Sequence, residues 1–185
     1  MPLTLDRAMR ERIMTENIEE VRLDPFDSER DADLVLTWIH APHVSRWWGD
    51  PAKTLSEVME RPNSGGDAII VADDTPVGYV RWQKPSREEL DAAGLHEISE
   101  DTTMDIDIAI GEPEYIGLGV GSRAIELLVK DLVADDNLRM IMLATSVDNL
   151  VAIGAYEKAG FERRRRFDDP EFGECWLLTR RVQPV

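Results

Sequence analysis

"IGLGVGS", residues 116–122, lies between a run that reads as a strand and a run that reads as a helix. It holds three glycines in five positions, and glycine loses more backbone freedom on folding than any other residue. A strand, a glycine-rich turn and a helix start together make an anion site. The first N–H groups of a helix are unpaired, the helix dipole favours negative charge, and missing side chains let a phosphate reach the donors. The same glycines also suit a tight turn with close helix–sheet packing. On the loop alone both readings stand.

Working outward, "TTMDIDIAIG" (102–111) alternates apolar and acidic residues before turning wholly apolar, as a half-buried strand does. After the loop, Ile125, Leu128, Val129, Leu132 and Val133 recur at helical spacing, predicting a helix over 119–134. "RMIMLAT" (139–145) predicts a buried strand, and 148–161 a helix capped by Asp148 or Asn149 and ended by Gly160. Two closing strands are expected near 161–168 and 174–182. Upstream, 18–25 reads as a strand, and 28–41 as a helix with Ser28 as its cap. A short turn carries His43 to Trp48, and a helical piece at 55–62 stops at Pro62. Residues 67–83 read as a hairpin turning at Asp73–Pro76, and one helical turn is expected at 86–93. The expectation is one domain over 1–185, an α/β fold on a mixed sheet, with 1–17 a loosely ordered extension.

Composition narrows the function. The 185 residues carry a net charge of −16, which repels nucleic acid and anionic membranes and attracts cations. Solubility alone also explains such a charge. No apolar run approaches the ~20 residues of a membrane span, and the N-terminal stretch lacks the apolar centre of a secretory signal. Cys175 is the single cysteine, and no His/Cys/acid cluster suggests a metal. A cytoplasmic protein, monomeric or homodimeric, is expected. The runs at 163–166 and 180–181 put local positive charge on late strands.

Two phosphate readings of the loop weaken on inspection. A P-loop needs Gly-Lys-Ser/Thr, whereas Gly121 is followed by Ser122 and Arg123. A dinucleotide loop wants an acid at the end of the next strand, where this chain has "LATS" (143–146). The third is the pyrophosphate loop of an acyl-CoA transferase. "IGLGVGSRAIELLV" resembles motif A of the GNAT N-acetyltransferase superfamily. "DNLVAIGAYEKAGF" (148–161) resembles its following signature, with Asn149, Ala152, Tyr156, Gly160 and Phe161 in place. The superfamily usually has Arg or Gln where this chain has Ile116, so the grip here rests more on backbone N–H groups.

One branch is resembled in particular, the aminoglycoside 6′-N-acetyltransferases. "HVSRWWGD" (43–50), "PVGYVRWQ" (76–83), "DIDIAIGEPEYIGLGVG" (105–121) and the Tyr-Glu-Lys-Ala-Gly-Phe run carry the likeness across most of 20–180. It implies a mostly antiparallel sheet with one parallel pair splayed at the acetyl-CoA site, flanked by helices. It also implies acetyl transfer from acetyl-CoA, as co-substrate and without metal, to the primary amine of a small cationic molecule.

The residue roles follow from the resemblance. Asp107 is the expected base and Tyr156 the group that protonates the departing thiolate. Ile108, Ala109 and Ile110 offer a backbone N–H to the acetyl carbonyl. Gly117, Leu118, Gly119, Val120, Gly121, Ser122, Asn149 and Ala152 hold the cofactor, and Trp47, Trp48, Asp50 and Tyr79 line the acceptor pocket. Each has a plainer alternative: Tyr156 packs a helix, Asn149 caps one, the tryptophans fill core, and Asp105 is simply solvated. His43 reads equally as ligand-side or core. The branch commonly shows Asp-Pro where this chain has Ala144–Thr145, which removes a carboxylate contact to an amine. Two alternatives to an aminoglycoside acetyltransferase therefore stand, acylation of a hydroxylamino-lysine siderophore precursor and a non-catalytic acyl-CoA sensor.

Overall fold

The computed structural model describes residues 18–182 apart from 61, 63 and 136. The expected extension at 1–17 lies outside the described residues. Seven strands form one sheet in the order β1-β2-β3-β4-β5-β7-β6. They are β1 (Val21–Pro25), β2 (Gly65–Ala72), β3 (Thr75–Gln83), β4 (Thr103–Ile110), β5 (Met140–Ser146), β6 (Glu162–Asp169) and β7 (Gly173–Arg181). Every neighbouring pair is antiparallel except β4 and β5.

The helices are α1 (Ser28–His40), α2 (Pro42–Trp48), α3 (Pro51–Met59), α4 (Arg87–Ala92), α5 (Val120–Leu132) and α6 (Leu150–Lys158), with a 3₁₀ turn at Pro113–Tyr115. Their starts follow local chemistry. Asp27, not Ser28, caps α1, accepting from the Glu29 and Arg30 N–H groups, while Asp31 accepts from the Asp27 N–H at 2.9 Å. That reciprocal arrangement satisfies donors that the helix itself cannot. Pro51, at the head of α3, is pre-set for a first helical turn. The helix therefore starts four residues earlier than the sequence pattern suggests and ends at Met59, ahead of Pro62. Ser86 and Glu89 form a full capping box on α4. The β2–β3 turn is shorter than expected: Asp73 and Asp74 both adopt positive φ (45° and 66°), the conformation a two-residue hairpin requires.

The sheet separates two packing layers. On one face Ile70, Val80, Ile106, Ile141 and Leu178 lie under α5 and α6, which contribute Ile125, Leu128 and Ile153. On the other, Ile69, Val71 and Tyr79 meet Val35, Trp38 and Ile39 of α1. Leu90, Leu95 and Ile98, on and after α4, cover Met142, Phe167 and Leu177 on that same side. Burying each such side chain stabilises the fold by about 1.5–3 kcal/mol. Gly111 lets α1 close onto the end of β4, because a Cβ there would run into the Trp38 indole. Glu112 then accepts from Trp38 Nε1 at 2.9 Å.

The arginine run 163–166 is a charged edge. Arg163 pairs with Glu157, Arg165 with Glu97 and Arg166 with Glu174, and the register shift between Arg163 and Arg165 bulges β6. Charge and a bulge are how sheet edges avoid pairing with other chains. No described helix is long and apolar enough to cross a membrane.

Candidate active site

The parallel pair controls the site. β4 and β5 are in register only from Thr103–Asp105 against Met140–Met142. Beyond that, Ile106–Ile110 pair with β3 alone and Leu143–Ser146 with β7 alone. The strands splay. The Gly111 N–H donates to the Val77 carbonyl, which sets the ladder phase: Ala109, Asp107 and Asp105 turn their backbone groups toward β3. The N–H groups of Ile108 and Ile110 therefore face the gap, while that of the third expected residue, Ala109, faces β3. The Ile110 carbonyl on the gap side meets His43 Nε2 at 3.2 Å. His43 thus ties α2 to the splayed strand.

At the head of the gap the glycine loop delivers α5. Gly119 caps it in the left-handed region (φ 82°), and Gly117 is left-handed too (φ 81°). A Cβ at either would meet nothing within 4 Å, so these glycines serve the backbone path rather than close packing, and the space beside them is open. Arg123 N–H closes the first helical bond to Gly119 O, which leaves the N–H groups of Val120, Gly121 and Ser122 with no intrahelical partner. Ser122 Oγ donates to Gly119 O at 3.0 Å. Open space, aligned donors and a helix dipole fit a diphosphate. Val120 is fully buried and can contribute here only through backbone, whereas the Leu118 N–H is already given to Tyr115 O at 3.4 Å and its side chain is exposed. This loop, the gap and the acceptor side join in one continuous cleft of about 1410 Å³.

On α6 the two signature residues do different work. Asn149 is the N-cap, accepting from Ala152 N–H at 3.3 Å and donating through Nδ2 to Thr145 Oγ1 at 3.0 Å. Its carboxamide is thereby held on the cleft wall beside Ala152. Tyr156, two turns on, is 7 % exposed and also lines the cleft. Burial, with the Asp107 and Asp105 charges behind it, pushes its phenol pKa upward, so it stays protonated at neutral pH.

Asp107 and Asp105 sit on the sheet face toward α3 and α4. The Asp107 side chain is open to the cleft yet surrounded by protein. Burial first, then the Glu57 charge, raise its pKa to about 6 against the pull of Arg81. Asp105 is pushed well above the ordinary carboxylate range by burial and by Asp107. Two carboxylates this close cannot both ionise freely. A group with a pKa near 6 is ionised at neutral pH and basic enough to take a proton.

The acceptor side is assembled from distant segments. Trp47 and Trp48 both line the cleft. Arg46 stacks over Trp47 at 4.5 Å, and Trp48 meets Tyr79 edge-on at 6.2 Å. The Tyr79 hydroxyl is committed to Asp67 at 3.0 Å, so its ring rather than its hydroxyl faces the pocket. Asp50 stands apart: its carboxylate caps α3, accepting from Ala52 N–H at 2.9 Å, and it is not part of the cleft lining. In its place the cleft shows Glu57, Glu89 and Glu171, which the sequence reading did not single out. Helical spacing could not mark them, because what brings them to the cleft is the packing of α3, α4 and the β6–β7 tip.

That tip roofs the cleft. Lys53 of α3 pairs with Glu171, and Gly49 (φ 75°) lies under Glu171 and Phe172. Arg81 was also missed. It is 8 % exposed, opposite Asp107 in the ladder, and donates to the Glu57 and Glu60 carbonyls at the end of α3. Among the described residues no group of three His, Cys, Asp or Glu could hold a metal ion.

Comparison with known proteins follows the same lines. The aminoglycoside N(6′)-acetyltransferase type 1 of Klebsiella pneumoniae is 27% identical over 165 residues, spanning 83% of this chain and 80% of that protein. A kanamycin resistance protein of Rhizobium radiobacter is 33% identical over 76 residues, 41% of this chain and 70% of that protein. The crystal structure of aminoglycoside acetyltransferase AAC(6′)-Ib with coenzyme A and kanamycin superposes with a TM-score of 0.74 at 23% identity, covering 88% of this chain and 95% of that one. The family model described as an acetyltransferase (GNAT) domain matches residues 27–169, and the chain belongs to that family of acetyl-CoA-dependent acetyltransferases.

Proposed function

We propose that this protein transfers an acetyl group from acetyl-CoA to the primary amine of a small polycationic molecule in the cytoplasm, an aminoglycoside at its 6′-amine. The observation that carries the reading is one cleft that runs from the donor-rich head of α5, through the β4–β5 gap, to Asp107 and a wall of glutamates. The names of the relatives supply the acceptor class, and the net charge of −16 suits it.

The residues would divide the work as follows. Backbone N–H groups of 120–122, with the Asn149-capped start of α6, hold the phosphates and the arm behind them. Bound there, acetyl-CoA supplies an activated thioester carbonyl. The Ile108 or Ile110 N–H polarises that carbonyl oxygen. An ammonium cannot attack, so the Asp107 carboxylate accepts a proton from the acceptor, directly or through water. The Tyr156 hydroxyl donates a proton to the departing sulfur. Trp47 and Trp48 offer flat faces to a cationic ring.

The test is calorimetry with coenzyme A, then release of free thiol from acetyl-CoA with kanamycin, polyamines and hydroxylysine derivatives as acceptors. Thiol release with kanamycin is expected. Release only with hydroxylamines would move the assignment to siderophore-type acylation, a reading to which Ala144–Thr145 contributes by leaving that wall without a carboxylate. Binding of coenzyme A with no release on any amine would leave an acyl-CoA sensor.

A further inference from the structure

We propose that Arg81 is a positioning residue, which holds the α3 wall of the acceptor pocket and supplies the positive charge that faces Asp107. This rests on the reading of Asp107 as the base.

Three observations carry it. First, Arg81 and Asp107 are a hydrogen-bonded pair of the β3–β4 ladder, so their side chains leave the sheet on one face, side by side. Second, the guanidinium is spent on backbone: Nη1 donates to Glu57 O, and Nη2 to Glu60 O at 2.6 Å. Those are carbonyls of the last turn and C-cap of α3, where a helix end carries partial negative charge. Among the described residues no carboxylate claims the charge in an ion pair. Third, Arg81 Nε is buried with no hydrogen-bond partner among the described residues. A buried, unsatisfied donor on a cation is costly, and a neutral side chain would remove that cost. What the neutral side chain could not do is face Asp107 with charge.

The surroundings make that charge count. Asp107 is faced by Glu57 from α3, Glu89 from α4, Asp105 on its own strand, Tyr79 from β3 and Tyr156 from α6. The His43 imidazole from α2 is tied to Ile110 O. Among these described neighbours Arg81 is the one cation acting on Asp107. Burial and the neighbouring carboxylates all raise the Asp107 pKa, and Arg81 lowers it. Without Arg81 the base would stay protonated into the neutral range. The same side chain fixes Glu57, so wall and base are set together.

The test uses Arg81→Gln and Arg81→Lys in the full chain, each checked by circular dichroism. Three readouts are followed: the Asp107 carboxyl by NMR titration, the pH profile of kcat/KM and the KM for kanamycin. Lysine keeps the charge but cannot grip two carbonyls with a planar fork. Arg81→Lys should leave the Asp107 midpoint within a few tenths of a unit of the wild type and raise the kanamycin KM roughly threefold or more. Arg81→Gln should raise the midpoint by about one unit. The acid limb of kcat/KM should follow, with about a fivefold loss at pH 6 and little at pH 8.

An Asp107 midpoint unmoved in folded Arg81→Gln overturns the electrostatic half, and an unchanged KM in Arg81→Lys overturns the positional half. A midpoint that moves without the acid limb upholds this proposal and overturns Asp107 as the base. If Arg81→Gln does not fold, an Asp107 midpoint in Arg81→Lys that departs by a full unit overturns the proposal by itself.

Discussion

The two ends of the cleft are built from different materials. At the end proposed to hold the acetyl donor the available groups are peptide N–H donors at 120–122 and on Ile108 and Ile110, set by two left-handed glycines and by strands that part company. At the acceptor end they are side chains from α2, α3, α4, β3, β4 and the β6–β7 tip. Backbone donors come with any sequence that takes the right path, so the donor end tolerates Ile116 and an exposed Leu118 beside its glycines. Side chains must be placed one by one. Under the proposed function, the donor is met by a local device and the acceptor by tertiary assembly.

Several substitutions would break or sharpen that contrast. The largest effect belongs to Asp107→Asn, expected to lower kcat by about 10²–10⁴-fold while the coenzyme A affinity, measured by calorimetry, holds. A comparable loss of coenzyme A binding would mean that the two ends are not separable. Tyr156→Phe comes next, with turnover down about tenfold to a hundredfold and binding spared, read in single-turnover thiol release.

Gly119→Val reverses the pattern. A β-branched residue at φ 82° costs roughly 1–2 kcal/mol, and the N–H fan should tilt. Coenzyme A should bind about tenfold more weakly at unchanged acceptor KM, extrapolated to saturating donor. The smallest effect is expected from Lys53→Ala at the roof. Its pair with Glu171 is half exposed, so the acceptor KM should change less than about threefold and stability by less than about 1 kcal/mol.

Asp107 also links the site to stability. Its folded pKa, about 6, lies above the ordinary aspartate value of 3.8, so the folded state binds the extra proton between those values. Stability from this group is greatest below pH 4 and is lost as pH rises through 6. Asp107→Asn should therefore melt higher than the wild type at pH 7.5, with the gain disappearing at pH 4. A melting temperature that drops at pH 7.5 would mean that the carboxylate is held by favourable contacts instead.

Much of the fold was legible in the chain. The run from Ile125 to Leu132, the alternation in "TTMDIDIAIG", the cap at Asn149 and the glycine stop at Gly160 are local signals, and the elements lie where those signals put them. The errors are local as well. Asp27 caps α1 because its carboxylate reaches two N–H groups. Ser28 lies one residue too far along to do so. At the site, Asp107, Tyr156 and the glycine loop carry sequence signatures and meet in one cleft. Asp50 looked like a pocket carboxylate but caps a helix, and Glu57, Glu89, Glu171 and Arg81 carry no mark in the sequence.

The sequence by itself determined the order of elements and the donor loop, because capping, periodicity and positive-φ glycines act over a few residues. It also determined the alternation that puts Asp105 and Asp107 on one side of β4. Tertiary structure alone decided that β4 and β5 separate after Asp105, that Arg81 faces Asp107, and that glutamates from three separate segments line the acceptor cleft. Those are matters of register and packing between segments far apart in the chain. The charge around Asp107 is the sum of groups that only the closed sheet brings together.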